Sequence, residues 1–269
     1  MDGPHSPTAV APAPSAGTAI ASAAPRRLVH VGCGVERLDG WINVDYELFP
    51  SVDVVADMRD ALPFRNVEAV FAEHFLEHLT LAAGLSFLES AHDALADGGW
   101  LRLTTPNLDW VWFTQYRLDA PAAEARLQAI GLNRGFHAWG HRFLWNRALL
   151  EEALRCCGFE DVTTRGRGES AAPFLRGIER HEPYPDYGSV THVIVVEARK
   201  GRRRPEDLAR LRRELWDGFW SLLDTRDREA VGPGGVALSR SPAGAAAGLG
   251  IRGHLRGLVA AVGRRLRGR

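Results

Sequence analysis

The sequence predicts an α/β domain: a doubly wound, mostly parallel sheet with a helical insertion and a helical C-terminal extension. Three observations carry this. Short apolar or β-branched runs recur along the chain, several of them continuous, as in strands covered on both faces. Amphipathic segments with capping residues lie between the later runs. The first run ends in Gly32-Cys33-Gly34 and the second in Asp45, so polar chemistry collects where open α/β sheets bind ligands.

Residues 1–26 are mostly Ala, Pro, Ser, Gly and Thr, too poor in apolar surface to order themselves, and read as a disordered tail. Leu28 to Val31 begins the fold. Strand-like runs follow at Trp41–Val44, Val52–Ala56, Val67–Ala72, Trp100–Thr104, Val162–Thr164 and Val190–Ala198. Thr80 can cap a helix with Leu81, Leu85, Leu88 and Leu95 on one face, stopped by Gly98-Gly99. Asn146 can cap another, with Leu149, Leu150, Ala153, Leu154 and Cys157 inward and Gly158 past its end. The stretch 106–145 fits neither period well. Its Trp, Phe and His content argues against disorder and predicts an insertion over the sheet edge. Beyond Lys200, Pro205 to Leu223 has the spacing of an amphipathic helix, with Leu208, Leu211, Leu215, Phe219 and Leu222 in a stripe. A Gly/Ala linker and a basic amphipathic tail occupy 229–269.

Composition narrows the function classes. The chain has 269 residues, 45% of them hydrophobic, enough for a full α/β core. No apolar run reaches bilayer length, and the first residues lack the pattern of a secretory signal. Three cysteines, two of them adjacent, make no disulfide framework and predict reduced thiols in a cytoplasmic protein. A formal net charge of zero argues against a nucleic-acid partner. The arginines and leucines of 249–269 leave two readings open: peripheral contact with an anionic membrane surface, or a basic tail that is disordered or folds back onto the body.

A strand running into Gly-x-Gly lets backbone approach a ligand closely. An acid ending the second strand, Asp45, suits a ribose diol because a carboxylate accepts from two hydroxyls. Asp57, followed by Met58, can accept from an adenine amino group and pack on its ring.

These motifs, HVGCGVERLDGWINVD, VDVVADMRDALPF, VFAEHFLEHL and LADGGWLRLTTPNLD, resemble the class I S-adenosylmethionine-dependent methyltransferases. Among these they are most similar to the small bacterial subgroup associated with polysaccharide and glycan biosynthesis. The resemblance covers about Leu28 to Lys200. It implies a Rossmann-like fold and S-adenosylmethionine as cofactor. Gly32 and Gly34 would border its methionine and ribose parts, Asp45 would hold the ribose, and Asp57 with Met58 the adenine. Glu73 or His74 would line the sulfonium side. Only Val35 to Gly40 separates the glycine motif from the second strand, too short for the family's crossover helix. Arg37 is the substitute partner for the cofactor carboxylate. That spacing also excludes a dinucleotide fingerprint.

His74-Phe75-Leu76-Glu77-His78 matches an inverted zinc-peptidase signature, but it follows a strand rather than lying on a helix. A divalent-metal alternative uses His74, Glu77 and His78 with either His137 or His141; the reading preferred from sequence assigns no metal. Methyl transfer to oxygen needs a base, and a histidine suits it. The candidates are His141, His137 and His78, with His74 behind them. His30 is expected in the core, and His92 and His181 on the surface. Trp110, Trp112 and Tyr116 either stack on a sugar ring or pack the insertion down. The function expected is O-methylation of a small-molecule or glycan acceptor, a sugar nucleotide or a glycosylated natural product. The alternatives are a non-catalytic cofactor-binding protein of the same fold and a metallohydrolase. The oligomeric state is not legible.

Overall fold

The computed structural model describes residues 27–59, 61–181 and 183–223. The tail at 1–26 and the linker and basic segment at 229–269 lie outside them.

The strands are β1 (Leu28–Val31), β2 (Ile42–Asp45), β3 (Val54–Val55), β4 (Val67–Glu73), β5 (Leu95–Pro106), β6 (Phe159–Thr164) and β7 (Val193–Lys200). The helices are α1 (Leu81–Ala94), α2 (Leu108–Gln115), α3 (Ala122–His137), α4 (Arg147–Cys156) and α5 (Pro205–Gly218). They build a seven-stranded sheet of order β3-β2-β1-β4-β5-β7-β6. Pairs among β1 to β5 are parallel, and β7 runs antiparallel between β5 and β6. This mixed sheet with its helices is a Rossmann-like α/β fold. No helix among the described residues is long and apolar enough to cross a membrane.

The expected caps are in place. Thr80 accepts from the Ala83 amide at 3.3 Å to start α1, and Asn146 accepts from Leu149 at 3.0 Å to start α4. Helix α1 ends at Ala94, ahead of Gly98-Gly99, so Leu95 opens β5 instead of closing the helix stripe. The insertion contains two helices, α2 and α3, which sequence period did not delimit. Helix α5 stops at Gly218, short of the expected Leu223; a short 3-10 turn follows, and Leu222 is exposed.

Helices α1, α4 and α5 all pack on one face of the sheet. Leu85, Leu88, Leu150, Leu154, Leu208 and Leu211 meet Val29, Val70, Leu101 and Val196 in one core. The opposite face has Leu38 and Trp41 from the short β1–β2 crossover, and Ala172, Leu175 and Ile178 from an irregular segment, against Leu28, Ala69 and Phe71.

Two buried polar groups hold those irregular covers in place. Asn43, fully buried in β2, accepts from the Leu38 amide at 2.9 Å and shares its own N–H groups among Leu38 O, Trp41 O and Asp53. It stands in for the missing crossover helix by satisfying the turn's backbone. Arg102 of β5, also fully buried, donates to the Glu169 carbonyl, to Glu179, and to Glu197 opposite it on β7. Each carboxylate oxygen and guanidinium edge so paired offsets a desolvation that either charge alone would make severe. His30 lies in this core as expected, donating to Asn43 at 3.1 Å and stacked on Phe71. All three cysteines are free and buried.

Candidate active site at the carboxyl edge of the sheet

The turn after β1 requires its glycines. Gly32 has φ +65° and Gly34 φ +51°, both in the left-handed region. A Cβ on Gly32 would come within 2.6 Å of the Phe75 ring, whereas a Cβ on Gly34 would meet nothing within 4 Å. Gly34 therefore leaves its backbone open to an approaching ligand.

Asp45 ends β2 beside that turn and is nearly buried. Its carboxylate accepts from the Gly34 amide at 2.8 Å and the Glu47 amide at 3.0 Å. Each oxygen keeps a further lone-pair site, so the same group can shape the turn and accept from a diol.

Other residues expected at the cofactor have partners within the fold. Arg37 donates to Ser51 O at 3.0 Å and to Asp53 at 2.8 Å. The Asn43 amide and side chain, with Arg37, hold Asp53 down at about 2. Thus Arg37 pins the β2–β3 loop through Nη1. Both Asp57 oxygens are gripped by Arg59, and Met58 is buried in the main core, so it offers no face to an adenine. Met58 is apolar and follows a strand, and burial in the core satisfied it before any ligand could.

Glu73 ends β4. It accepts from the backbone amides of Arg180 and His181 and from His181 Nδ1 at 2.5 Å, so it ties the irregular cover segment to the sheet edge. Burial pushes its pKa up, but those donors outweigh it and hold the carboxyl below its ordinary range. His181, expected at the surface, is nearly buried here; a carboxylate distant in sequence captures it. His92, the other histidine expected outside, is also buried and bonds Gly201 O at 3.0 Å.

The stretch after β4 turns sharply. His74 has φ +48°, and Leu76–His78 forms a 3-10 turn. His74 Nδ1 donates to Glu77 at 2.9 Å, and Thr105 Oγ1 donates to the other Glu77 oxygen at 3.1 Å. Glu77 has no exposure at all. Burial raises its pKa, yet the hydrogen bond and charge of His74, with His78, hold it below the usual carboxyl range. Burial lowers His74 in turn, but Glu77 and Glu73 prevail and hold it above an ordinary imidazole.

The Glu77 carbonyl accepts from the amides of Arg142 and Phe143, which draws the end of the insertion onto this turn. His141 thereby lies against His78, ring centroids 5.4 Å apart. His141 Nδ1 bonds Gly135 O at 2.9 Å. A carbonyl only accepts, so Nδ1 carries the proton and the Nε2 lone pair is free. Burial keeps His141 below the usual imidazole pKa. Ligand atoms of Glu77, His78 and His141 lie within 4.8 Å of one another. His137 is exposed at the end of α3 and does not join them. Of the three proposed bases, two come together and the third stays apart.

His192, which carried no motif, is half-buried near this edge between the Trp110 and Tyr184 rings, 4.5 and 4.6 Å away. Burial, then the charges of His74 and His181, push it down to about 4. Only its apolar neighbours in sequence, Val190 and Val193, could have hinted at burial. Trp110 itself is buried, whereas Trp112 and Tyr116 are exposed and stacked on each other, and Trp139 is exposed 5.5 Å from His141. A separate cleft, lined by Glu89, Cys156, Arg203, Pro205, Leu208 and Arg212, lies between α1, α4 and α5 toward the amino edge of the sheet. It holds none of these groups.

No family model matches the chain, and no curated protein does. Many solved structures match part of it. One is a SAM-dependent methyltransferase from Archaeoglobus fulgidus, 15% identical, TM-score 0.43, the match covering 65% of this chain and 86% of that one. Another is a SAM-dependent methyltransferase from Thermotoga maritima, 15% identical, TM-score 0.40, covering 65% and 81%. For the CurJ carbon methyltransferase the figures are 16% and 0.39, and the chain spans only 50% of that protein. At such identities and scores none of these neighbours assigns a ligand or an acceptor here.

Proposed function

We propose that this protein is an S-adenosylmethionine-dependent methyltransferase acting on a hydroxyl of a sugar-containing acceptor. The observation that carries the reading is the pairing of Gly34 with Asp45, an open glycine turn bonded at 2.8 Å to an acid ending the adjacent parallel strand. A nucleoside fits that pair: the turn offers backbone, and the carboxylate retains acceptor sites for a ribose diol. When bound, the cofactor supplies an electrophilic methyl group on a sulfonium. Asp45 would orient its ribose, and Gly32 and Gly34 would let it approach the end of β1. On the acceptor side, Glu77, His78 and His141 form the group that activates a hydroxyl. Exposed Trp139, beside His141, gives a sugar ring a face to stack on.

The test is calorimetric titration of the full-length chain with S-adenosylmethionine, followed by methyl-transfer assays on sugar, sugar-nucleotide and glycoside acceptors. Micromolar binding with turnover on such an acceptor is expected, with His141→Gln lowering turnover roughly a hundredfold while binding stays. A folded chain that binds no S-adenosylmethionine would sink the reading. Binding without turnover on any acceptor would leave a non-catalytic member of the fold.

A further inference from the structure

The Glu77 carboxylate has no exposure, and among the described residues it forms no ion pair with Lys or Arg. A buried anion is costly unless cationic partners surround it. Its neighbours point to what completes the set. Thr105 and His74 orient the two oxygens by hydrogen bonds, while His78 and His141 bring imidazoles alongside. His141 has its Nδ1 proton fixed on the Gly135 carbonyl, which leaves Nε2 as a lone pair of set direction. An imidazole anchored through one nitrogen to a backbone carbonyl, beside a carboxylate itself held by other side chains, is how metal ligands are commonly supported.

We propose that Glu77, His78 and His141 bind one divalent transition-metal ion of the zinc class. The choice of metal follows from the donors. Two imidazoles and a carboxylate suit zinc or cobalt, whereas magnesium and calcium favour sets made of oxygen. The three ligand atoms lie within 4.8 Å of one another, against the roughly 3.3–3.6 Å that bonds of about 2.0–2.2 Å require in a tetrahedral site. A small inward movement closes it. His78 is exposed and can make that movement without disturbing the core. Three protein ligands leave a fourth position open, as in catalytic rather than structural sites.

The role assigned to that open position rests on the methyl-transfer reading above. There an acceptor hydroxyl would bind the ion through oxygen and become acidic enough to lose its proton near neutral pH. With both imidazoles serving as ligands, the acidity comes from the ion, and His74 keeps Glu77 in place.

The experiment titrates Co²⁺ alone into the chelator-stripped full-length chain, with no nucleotide or acceptor present, and follows the visible d–d bands of the metal. One Co²⁺ per chain is expected, displaced by one equivalent of Zn²⁺. His78→Ala and His141→Ala should each weaken binding tenfold or more, with thermal unfolding confirming that both variants fold. His137→Ala, at an exposed site outside the cluster, should bind as the unaltered protein does. Absent bands, or bands kept in full by both His78→Ala and His141→Ala, would overturn the proposal; the latter places the metal elsewhere on the chain. S-adenosylmethionine binding is measured on the same samples. Its loss with Co²⁺ binding retained counts against methyl transfer alone, and the reverse counts against the metal alone.

Discussion

The Asp45 carboxylate accepts the Gly34 amide at 2.8 Å across the edge between β2 and the turn after β1. One side chain therefore shapes the turn and, in the proposed function, grips the ligand that the turn admits. Asp45→Ala should weaken S-adenosylmethionine binding by about 1–3 kcal/mol. It should also lower stability by about 1–3 kcal/mol, because the Gly34 and Glu47 amides lose a charged acceptor. Titration calorimetry and urea unfolding separate the two effects. Unchanged affinity in a folded variant removes Asp45 from the site.

Gly32 and Gly34 differ in what surrounds them, and alanine should report it. Gly34→Ala meets open space and carries only the left-handed strain, about 1 kcal/mol of stability. Gly32→Ala adds a collision with Phe75, whose ring is packed edge-on against Phe87, and should cost about 2 kcal/mol or more. Cofactor affinity, by contrast, should suffer more at Gly34, where a methyl group occupies the ligand's approach. Equal losses of affinity and stability at both positions would contradict this division.

Asn43 replaces a helix. Asn43→Leu keeps the volume but strips partners from Leu38 N, Leu38 O and Trp41 O, so unfolding free energy should fall by about 3 kcal/mol or more. Asn43→Asp retains the acceptor for the Leu38 amide but loses both donors, and should fall no less. Denaturant midpoints measure both. A loss under about 1 kcal/mol would mean the crossover is held by Leu38 and Trp41 packing alone.

Acid should destabilise the fold through its histidines. An unfolded imidazole titrates near 6.5, but His192 in the folded chain titrates at about 4. Between those values the unfolded chain binds a proton that the folded one refuses, so stability is complete above 6.5 and lost as pH falls toward 4. For His192 the loss approaches about 3 kcal/mol. His30, His92 and His141 are shifted the same way, each chiefly by burial. His74 opposes them: held above 6.5, its stabilising effect is fully present below that value and disappears as pH rises through its folded pKa. Urea unfolding at pH 7.5, 6 and 5 should show a falling curve, shallower in His192→Gln. A variant with an unchanged slope would place the acid sensitivity elsewhere.

Local pattern was enough for much of the architecture. Leu28–Val31 is apolar but for His30 and is buried at every position, a strand covered on both faces; Thr80 and Asn146 are caps whose partners lie three residues away. The glycine turn and the acid of β2 were legible because each closes an apolar run, and the sheet pairs those two runs in parallel. Helices α2 and α3 were less so. Their buried sets are sparse, two residues each, so no apolar period marked them.

What the sequence by itself determined is therefore the elements outside the insertion, their α/β order and the residue types gathered at the carboxyl edge. Tertiary structure alone decided which of those residues meet. Glu73 and His181 are 108 residues apart, and Arg102 and Glu179 are 77 apart. His141 reached His78, and His137 did not, because the Glu77 carbonyl captures the backbone at Arg142 and Phe143. Periodicity and capping report interactions within a few residues of one another. A buried charge or a shared hydrogen bond is settled by whichever partner the folded chain brings within about 3 Å, and that choice has no local trace.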